Sequence, residues 1–420
     1  MREMKDSGMP FCKLVPIEWS VIPNRYLFIG HSMKVGEKSN EYQLLSLTTN
    51  GVKEKDINAS GGKVPTSYDN YQTVEKGDMI FCLFDLDCSA VFSGLSSFDG
   101  MITSAYDVFK PNEKYIDKHF IEYWFAYVFS NRYYKMYSKS IRYTITSDMF
   151  KSILSPVPPI EQQRVIGNLL DQKCTQIDAL ITNQQKQIEK LKAYKQSLIT
   201  ETVTKGLNPD VPMKDSGVEW IGEIPEGWDI LQLSSVVTER KHKNIGMIET
   251  NLLSLSYGNV IRKNINTTDG LLPESFEGYN IIEAGDIVLR LTDLQNDHKS
   301  LRSGLCTERG IITSAYVTLA NRGGTLISEY LHYLLHTFDI YKGFYGMGAG
   351  VRQGLNFDGI KKILLTRPKI EEQQAIVSYL DQKCTQIDNL ISIKQRKIEK
   401  LQQYKKSVIY EYVTGKKEVK

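Results

Sequence analysis

His332 and His336 stand four residues apart in a stretch of helical periodicity, the spacing at which two imidazoles share a helix face and can grip a metal ion. No glutamate of an HExxH pattern lies between them and no third ligand is near in the chain. A packed pair of histidines therefore explains them better, and no metal site is expected. Asp85 and Asp293 occupy matching contexts, Leu83-x-Asp-Leu86 and Leu291-x-Asp-Leu294. A turn built twice accounts for them as well as catalytic carboxylates would. The glycine-rich run Gly343 to Gly350 contains no GxxxxGK[ST], and it lacks the strand ahead and helix behind that a phosphate loop needs, which excludes a nucleotide site. Six cysteines (Cys12, Cys82, Cys88, Cys174, Cys306, Cys384) show no CxxC pairing and read as reduced thiols. The expectation is a chain with no catalytic residues and no cofactor of its own.

What remains is basic and aromatic. The segment from Asn131 through Tyr134 to Tyr143 offers Arg132, Lys139, Arg142 and Tyr143. Its counterpart, Gly343 to Gln353, offers Tyr345, Arg352 and Gln353, and Arg290 stands earlier in the same head. Aromatics interleaved with Arg and Lys suit phosphate contact and groove insertion, and Arg and Gln can bond base edges in a bidentate manner. These eight are the candidate DNA contacts. Tyr123 and Tyr127, at helical spacing, read as packing. The formal net charge is only +3, so composition does not by itself announce a nucleic-acid binder; phosphate contact requires local clustering.

The elements that position these residues are written twice. Asp171 to Asp178 (DQKCTQID) recurs letter for letter as Asp381 to Asp388, an offset of 210 in a chain of 420 residues. The same offset carries Ile102 to Tyr106 (ITSAY) onto Ile312 to Tyr316 and Arg142 onto Arg352. Earlier landmarks drift by a residue or two: Met4 to Gly8 (MKDSG) returns as Met213 to Gly217, and Trp19 as Trp228. Residues 160–203 match 370–413 at 26 of 44 positions without a gap, whereas the preceding segments match only at scattered points. One part of each unit does the same job twice; the other does two different jobs.

The shared part is a long helix. From about 161 to 204 there is no proline and glycine occurs only at Gly167. Ile177, Ile181, Ile188, Leu191 and Leu198 form a heptad seam interrupted by Gln184 and Lys195. The seam returns as Ile387, Ile391, Ile398, Leu401 and Val408, interrupted by Lys394 and Lys405. Pro158-Pro159 and Pro368 precede the two helices, with Glu161 and Glu371 in their first turns. Each seam is the natural partner of the other, and antiparallel pairing suits the short linker that follows the first helix. Lys186, Lys190, Lys192, Lys195, Lys394, Arg396, Lys397 and Lys400 lie on these helices and could meet phosphates or acidic partner surfaces, or simply face water.

The divergent parts, residues 20–158 and 229–368, mix strand-like stretches such as Asp78 to Leu83 and Asp286 to Leu289 with helical patches at Ile116 to Tyr127 and Ile327 to Leu335. The expected fold class is α+β: two α/β heads separated by two long helices that form an antiparallel coiled coil, with pseudo-two-fold internal repetition. The expected divisions are residues 1–158 (first head), 159–205 (central helix), 206–368 (linker and second head) and 369–420 (distal helix). No apolar run approaches the ~18 residues of a membrane span, and no leader-like apolar core opens the chain, so the cytoplasm is expected.

Pro158-Pro159-Ile160-Glu161-Gln162-Gln163-Arg164-Val165-Ile166 resembles the helical region of type I restriction-modification specificity subunits. Arg367-Pro368-Lys369-Ile370-Glu371-Glu372-Gln373-Gln374-Ala375-Ile376 is its second occurrence. Ile221 to Trp228 (IGEIPEGW) and Ile312 to Tyr316 are similar to segments of that family's target-recognition domain. The resemblance covers essentially the whole chain in the order head, helix, head, helix. The first copy departs from it in places, with Val15-Pro16-Ile17-Glu18-Trp19 where the second has IPEGW. The resemblance implies a DNA specificity subunit whose heads each read part of a split, asymmetric site in double-stranded DNA. It also implies two methyltransferase subunits as partners, carrying S-adenosylmethionine and docked largely on the helices, and restriction subunits that use ATP and Mg to translocate and cut. The chain has no NPP[FY] or DPPY loop, so a single-chain methylating enzyme is disfavoured. A pure coiled-coil scaffold is disfavoured too, since it would not need two structured heads that differ.

Overall fold

The computed structural model describes residues 2–30, 33–49, 51–56, 67–138, 142–265, 273, 275–294, 301–347 and 354–419. Lys139, Arg352 and Gln353 lie outside the described residues. Four helices organise the chain: α1 (Lys118–Ser130), α2 (Ile160–Lys205), α3 (Ser328–Ile340) and α4 (Ile370–Val413). The helices α2 and α4 run 46 and 44 residues.

Each head is built on one four-stranded antiparallel sheet. In the first the order is Phe28–Gly30, Asp107–Pro111, Met79–Phe81, Ser93–Leu95. In the second it is Val237–Glu239, Val317–Asn321, Ile287–Leu289, Ser303–Leu305. The strands Met79–Phe81 and Ile287–Leu289 are buried at every residue, as suits central strands covered on both faces. One face carries α1 or α3. A further pair, Ser20–Pro23 with Leu154–Val157 and Asp229–Gln232 with Leu364–Arg367, ties the beginning of each head to the strand that feeds its long helix.

The chain divides into two compact units, residues 1–185 with 395–420, and residues 186–394. The division cuts both long helices near their middles because each head core includes helix ends. The first core joins Trp19, Phe81, Phe120, Trp124 and Phe150 to Ile166, Leu170 and Cys174 of α2 and to Val408, Ile409, Tyr412 and Val413 of α4. The second joins Trp228, Leu289, Tyr330 and Leu334 to Ile199 and Val203 of α2 and to Ile376, Leu380 and Cys384 of α4. In each unit the opening turns of one helix thus lie beside the closing turns of the other, which is antiparallel packing.

The heptad seam faces inward as its period requires. Ile177, Ile188, Ile387, Ile398 and Val408 are buried, and Ile181, Leu191, Leu198, Ile391 and Leu401 are half-buried. The polar interruptions are put to use. Lys405 Nζ lies 2.7 Å from Asp178 Oδ2 in the first unit, and Lys195 Nζ lies 2.7 Å from Asp388 Oδ2 in the second. Lys394 Nζ donates to Gln187 Oε1 in the second unit. A lysine at a seam position thus snorkels to a carboxylate on the neighbouring helix. At the end of the seam Ile199 is more deeply buried than Leu198, because the head core takes over from the coiled coil there.

Gly206 and Gly415 close the two long helices at φ 79° and 69°, the left-handed conformation that favours glycine just past a helix end. Each also abuts the tryptophan of its own unit, Trp228 and Trp19 respectively.

Candidate nucleic-acid interface

The residues of the helix signature hold head to helix. Gln163 and Gln373 are fully buried, with relative exposures of 0%. Gln163 Oε1 accepts from the backbone N–H of Asp117 (2.8 Å), and its Nε2 donates to the carbonyls of Tyr115 and Pro158 (both 2.8 Å). Gln373 repeats this with Ile327 N–H and the carbonyls of Thr325 and Pro368, all at 2.9 Å. Only an amide offers an acceptor and two donors at one side-chain tip, which is why glutamine stands here in both copies. Trp19 Nε1 donates to Gln162 Oε1 (2.8 Å) and Trp228 Nε1 to Glu372 Oε2 (3.0 Å). The hydroxyls of Tyr123 and Tyr333 donate to Asp171 (2.8 Å) and Asp381 (2.6 Å), lashing α1 and α3 to the long helices. Burial and that carboxylate drive both phenol pKa values upward. Tyr123 and Tyr127 pack, as their spacing suggests.

In the first head the basic candidates gather around one turn. Asp85 takes a left-handed φ of 49°, and Ile145 N–H donates to Leu83 O (2.8 Å) while Tyr134 Oη donates to Leu86 O (2.7 Å). Arg132 Nη1 and Lys135 Nζ reach Asp87 Oδ1 at 3.1 and 2.8 Å. Arg142 Nη1 stands 3.7 Å from Asp85 Oδ1, and the side chain is 80% exposed. Tyr143, itself at φ 50°, lies under Lys135, whose Nζ is 4.4 Å from the ring centroid. Lys135 and Arg132 hold the Asp87 carboxyl below the usual range. Such exposed pairs contribute little to stability and exchange readily for phosphate contacts. Arg132 thus pairs with Asp87 and Arg142 with Asp85, while Tyr143 joins the group through Lys135, which also pairs with Asp87.

The second head builds the same turn differently. Asp293 sits at φ 57° and Leu355 N–H donates to Leu291 O (2.9 Å), matching Asp85 and Ile145. The duplicated aspartates are thus parts of a duplicated turn. Arg302 has a relative exposure of 0%. Its Nη1 donates to the carbonyls of Arg290 (3.1 Å) and Thr292 (2.9 Å), its Nη2 to Asp293 O (3.3 Å) and its Nε to Tyr345 Oη (3.0 Å). Lys342 Nζ lies 4.8 Å from the Tyr345 ring centroid. Arg290 is half-buried at the end of its strand, and its backbone N–H donates to Arg302 O (2.8 Å). The structure places Tyr345 and Arg290 together through Arg302, a residue that motif reading passes over. Setting Leu301-Arg302-Ser303-Gly304-Leu305 beside Val91-Phe92-Ser93-Gly94-Leu95 would have flagged it, as an arginine where the other copy has phenylalanine.

His332 and His336 lie on α3 and line a cleft of about 820 Å³ in the second unit, with Lys195, Tyr257 and Cys384 among its walls. Burial pushes both imidazoles down to about 4, so both are neutral at pH 7. Among the described residues no three His, Cys, Asp or Glu side chains are grouped to hold a metal ion. All six cysteines are free, five of them buried, and burial raises the thiol pKa of each of those five. No helix among the described residues is long and apolar enough to cross a membrane.

No protein-family model matches the chain. Two proteins of Methanocaldococcus jannaschii are similar to it. The type I restriction enzyme MjaVIII specificity subunit is 29% identical over 287 residues, 66% of this chain and 65% of the relative's own length. The putative type I restriction enzyme MjaX specificity subunit is 26% identical over 330 residues, 74% of this chain and 71% of the relative. In fold, the chain matches a structure described as the basis of complex assembly and conformational transition of the type I R-M system. The TM-score is 0.69 at 14% identity, covering 96% of this chain and 99% of that one. It also matches the HsdS subunit of Thermoanaerobacter tengcongensis at a TM-score of 0.50 and 14% identity, over 96% and 98% of the two chains. In sequence this chain is thus similar, over 66% and 74% of its length, to two type I restriction enzyme specificity subunits.

Proposed function

We propose that the chain is the DNA-reading subunit of a type I restriction-modification assembly and performs no chemistry itself. Each head reads one part of a split, asymmetric site in double-stranded DNA, and the antiparallel helices set the gap between the parts. Two methyltransferase subunits dock largely on those helices and carry S-adenosylmethionine; restriction subunits supply the ATP- and Mg-dependent step, and the assembly works in the cytoplasm. The observation that carries this reading is the pairing of two heads on one duplicated helix frame, each with basic and aromatic residues around an equivalent turn but with different residues there. A shared frame suits a common partner bound twice, and differing turns suit two different half-sites.

The test is to map methylated adenines in a host that carries this gene with its methyltransferase partner, and again with this gene deleted. A split, non-palindromic motif should be present in the first and vanish in the second. Methylation by the purified chain with S-adenosylmethionine alone, or a motif that survives the deletion, would sink the proposal.

A further inference from the structure

The two heads hold the same turn with different donors, and that difference bears on which head reads what. In the first head the carbonyl of Leu86 is held by Tyr134 Oη at 2.7 Å, and Phe92 stacks beside that ring with centroids 6.2 Å apart. In the second head the position of Tyr134 is taken by Phe344, which has no hydroxyl, and the position of Phe92 by Arg302. Both pairs are fully or almost fully buried. The equivalence of Phe92 and Arg302 rests on the backbone. Cys82 N–H donates to Phe92 O (2.7 Å) as Arg290 N–H donates to Arg302 O (2.8 Å), and the strands Ser93–Leu95 and Ser303–Leu305 share the triplet SGL.

We infer that Arg302 is the positioning residue of the second head, a buried guanidinium that sets the 290–293 turn and the Tyr345 ring for DNA reading. This rests on the reading under Proposed function. A guanidinium buried away from water is costly unless its N–H groups are matched. Here the fork spans the carbonyls of Arg290, Thr292 and Asp293, and Nε meets the Tyr345 hydroxyl. Its guanidinium carbon is 5.1 Å from the Tyr345 ring centroid. The strand end is fixed further by Asp339 Oδ2, which accepts from Arg302 N–H at 2.7 Å. One side chain thereby fixes three regions: the end of strand Ile287–Leu289, the left-handed Asp293 and the short 3-10 turn Gly343–Gly346 that carries Tyr345. No lysine could do this, because a single ammonium cannot reach three carbonyls and a hydroxyl held in a planar fork.

The experiment maps the methylated motif produced by the full chain with its methyltransferase partner, for wild type and for four variants. Arg302→Lys should relax discrimination roughly ten-fold in one half of the motif and leave the other half unchanged. Arg302→Phe should do the same, and adding Phe344→Tyr to it should restore much of the lost discrimination, because the donor arrangement of the first head is then rebuilt in the second. Tyr134→Phe should relax the opposite half. Amide exchange of residues 290–294 should rise in Arg302→Lys while the exchange of α2 and α4 stays as in wild type. A wild-type split motif that Arg302→Lys leaves intact, both halves degrading together, or unchanged exchange at 290–294 would each overturn the inference alone. A wild type with no split motif would overturn the functional reading and this inference with it.

Discussion

Replacing Gln163 by Met tests whether the repeated glutamine is what joins head to helix. The side chains are of similar size, so little cavity or overpacking is expected. What changes is hydrogen bonding: the Asp117 N–H loses its acceptor, and the Tyr115 and Pro158 carbonyls lose a donor. An orphaned buried group costs about 1–3 kcal/mol, and carbonyls with a second lone pair fall at the low end. The Asp117 amide adjoins the start of α1, where the Asp117 side chain caps His119 and Phe120, so its loss also loosens that helix entrance. Against roughly 3–6 kcal/mol of loss stands the favourable burial of the methionine side chain, about 1.5–3 kcal/mol. A net loss of about 1.5–3 kcal/mol is expected. Urea unfolding followed by tryptophan fluorescence resolves it, because Trp19 and Trp124 belong to the first core and Trp228 to the second. Gln163→Met should shift the transition of the first unit, and Gln373→Met that of the second by a similar amount. A shift below about 0.5 kcal/mol in both variants, the range of an ordinary surface substitution, would refute the clamp.

The neutral histidines make the second unit acid-sensitive. Their pKa falls from 6.5 unfolded to about 4 folded, so the unfolded chain binds protons first and stability is lost as pH drops from about 6.5 toward about 4. The limit is roughly 3 kcal/mol per histidine. The double variant His332→Gln, His336→Gln should show a flatter stability profile over that window; a slope equal to wild type would contradict the assignment. The Asp178–Lys405 pair, half-exposed, should show a coupling of only ~0.2–1 kcal/mol in a double-mutant cycle with Asp178→Asn and Lys405→Met. A coupling above about 2 kcal/mol would mean that this flank of the helix pair is far drier than its exposure indicates.

The long helices were legible because a heptad is a local pattern. Ile177, Ile188, Ile387 and Ile398 are buried for the reason that their spacing predicts, and even Lys195 and Lys405 occupy the polar gaps in the seam. The halves of the motif EQQ were legible as a repeat but not as a clamp, since Tyr115 and Asp117 lie more than forty residues from Gln163 and nothing local pairs them. The same holds for the cores. Residues 408–413 complete the core that Trp19 begins, so the first unit closes only across almost the full length of the chain.

The candidate contacts divide along the same line. Residue type and clustering pointed to Arg132, Arg142 and Tyr143, and the fold gathers them around Asp85 and Asp87. Arg302 stayed hidden, because an arginine in a strand reads as solvent-facing until the fold surrounds it with carbonyls. By itself the sequence determined the duplication, the helix pair and the resemblance to known proteins, all of which rest on periodicity and identity along the chain. Only the tertiary structure decided which side chains meet at the turns, because buried hydrogen bonds and ion pairs are set by three-dimensional proximity between residues far apart in sequence.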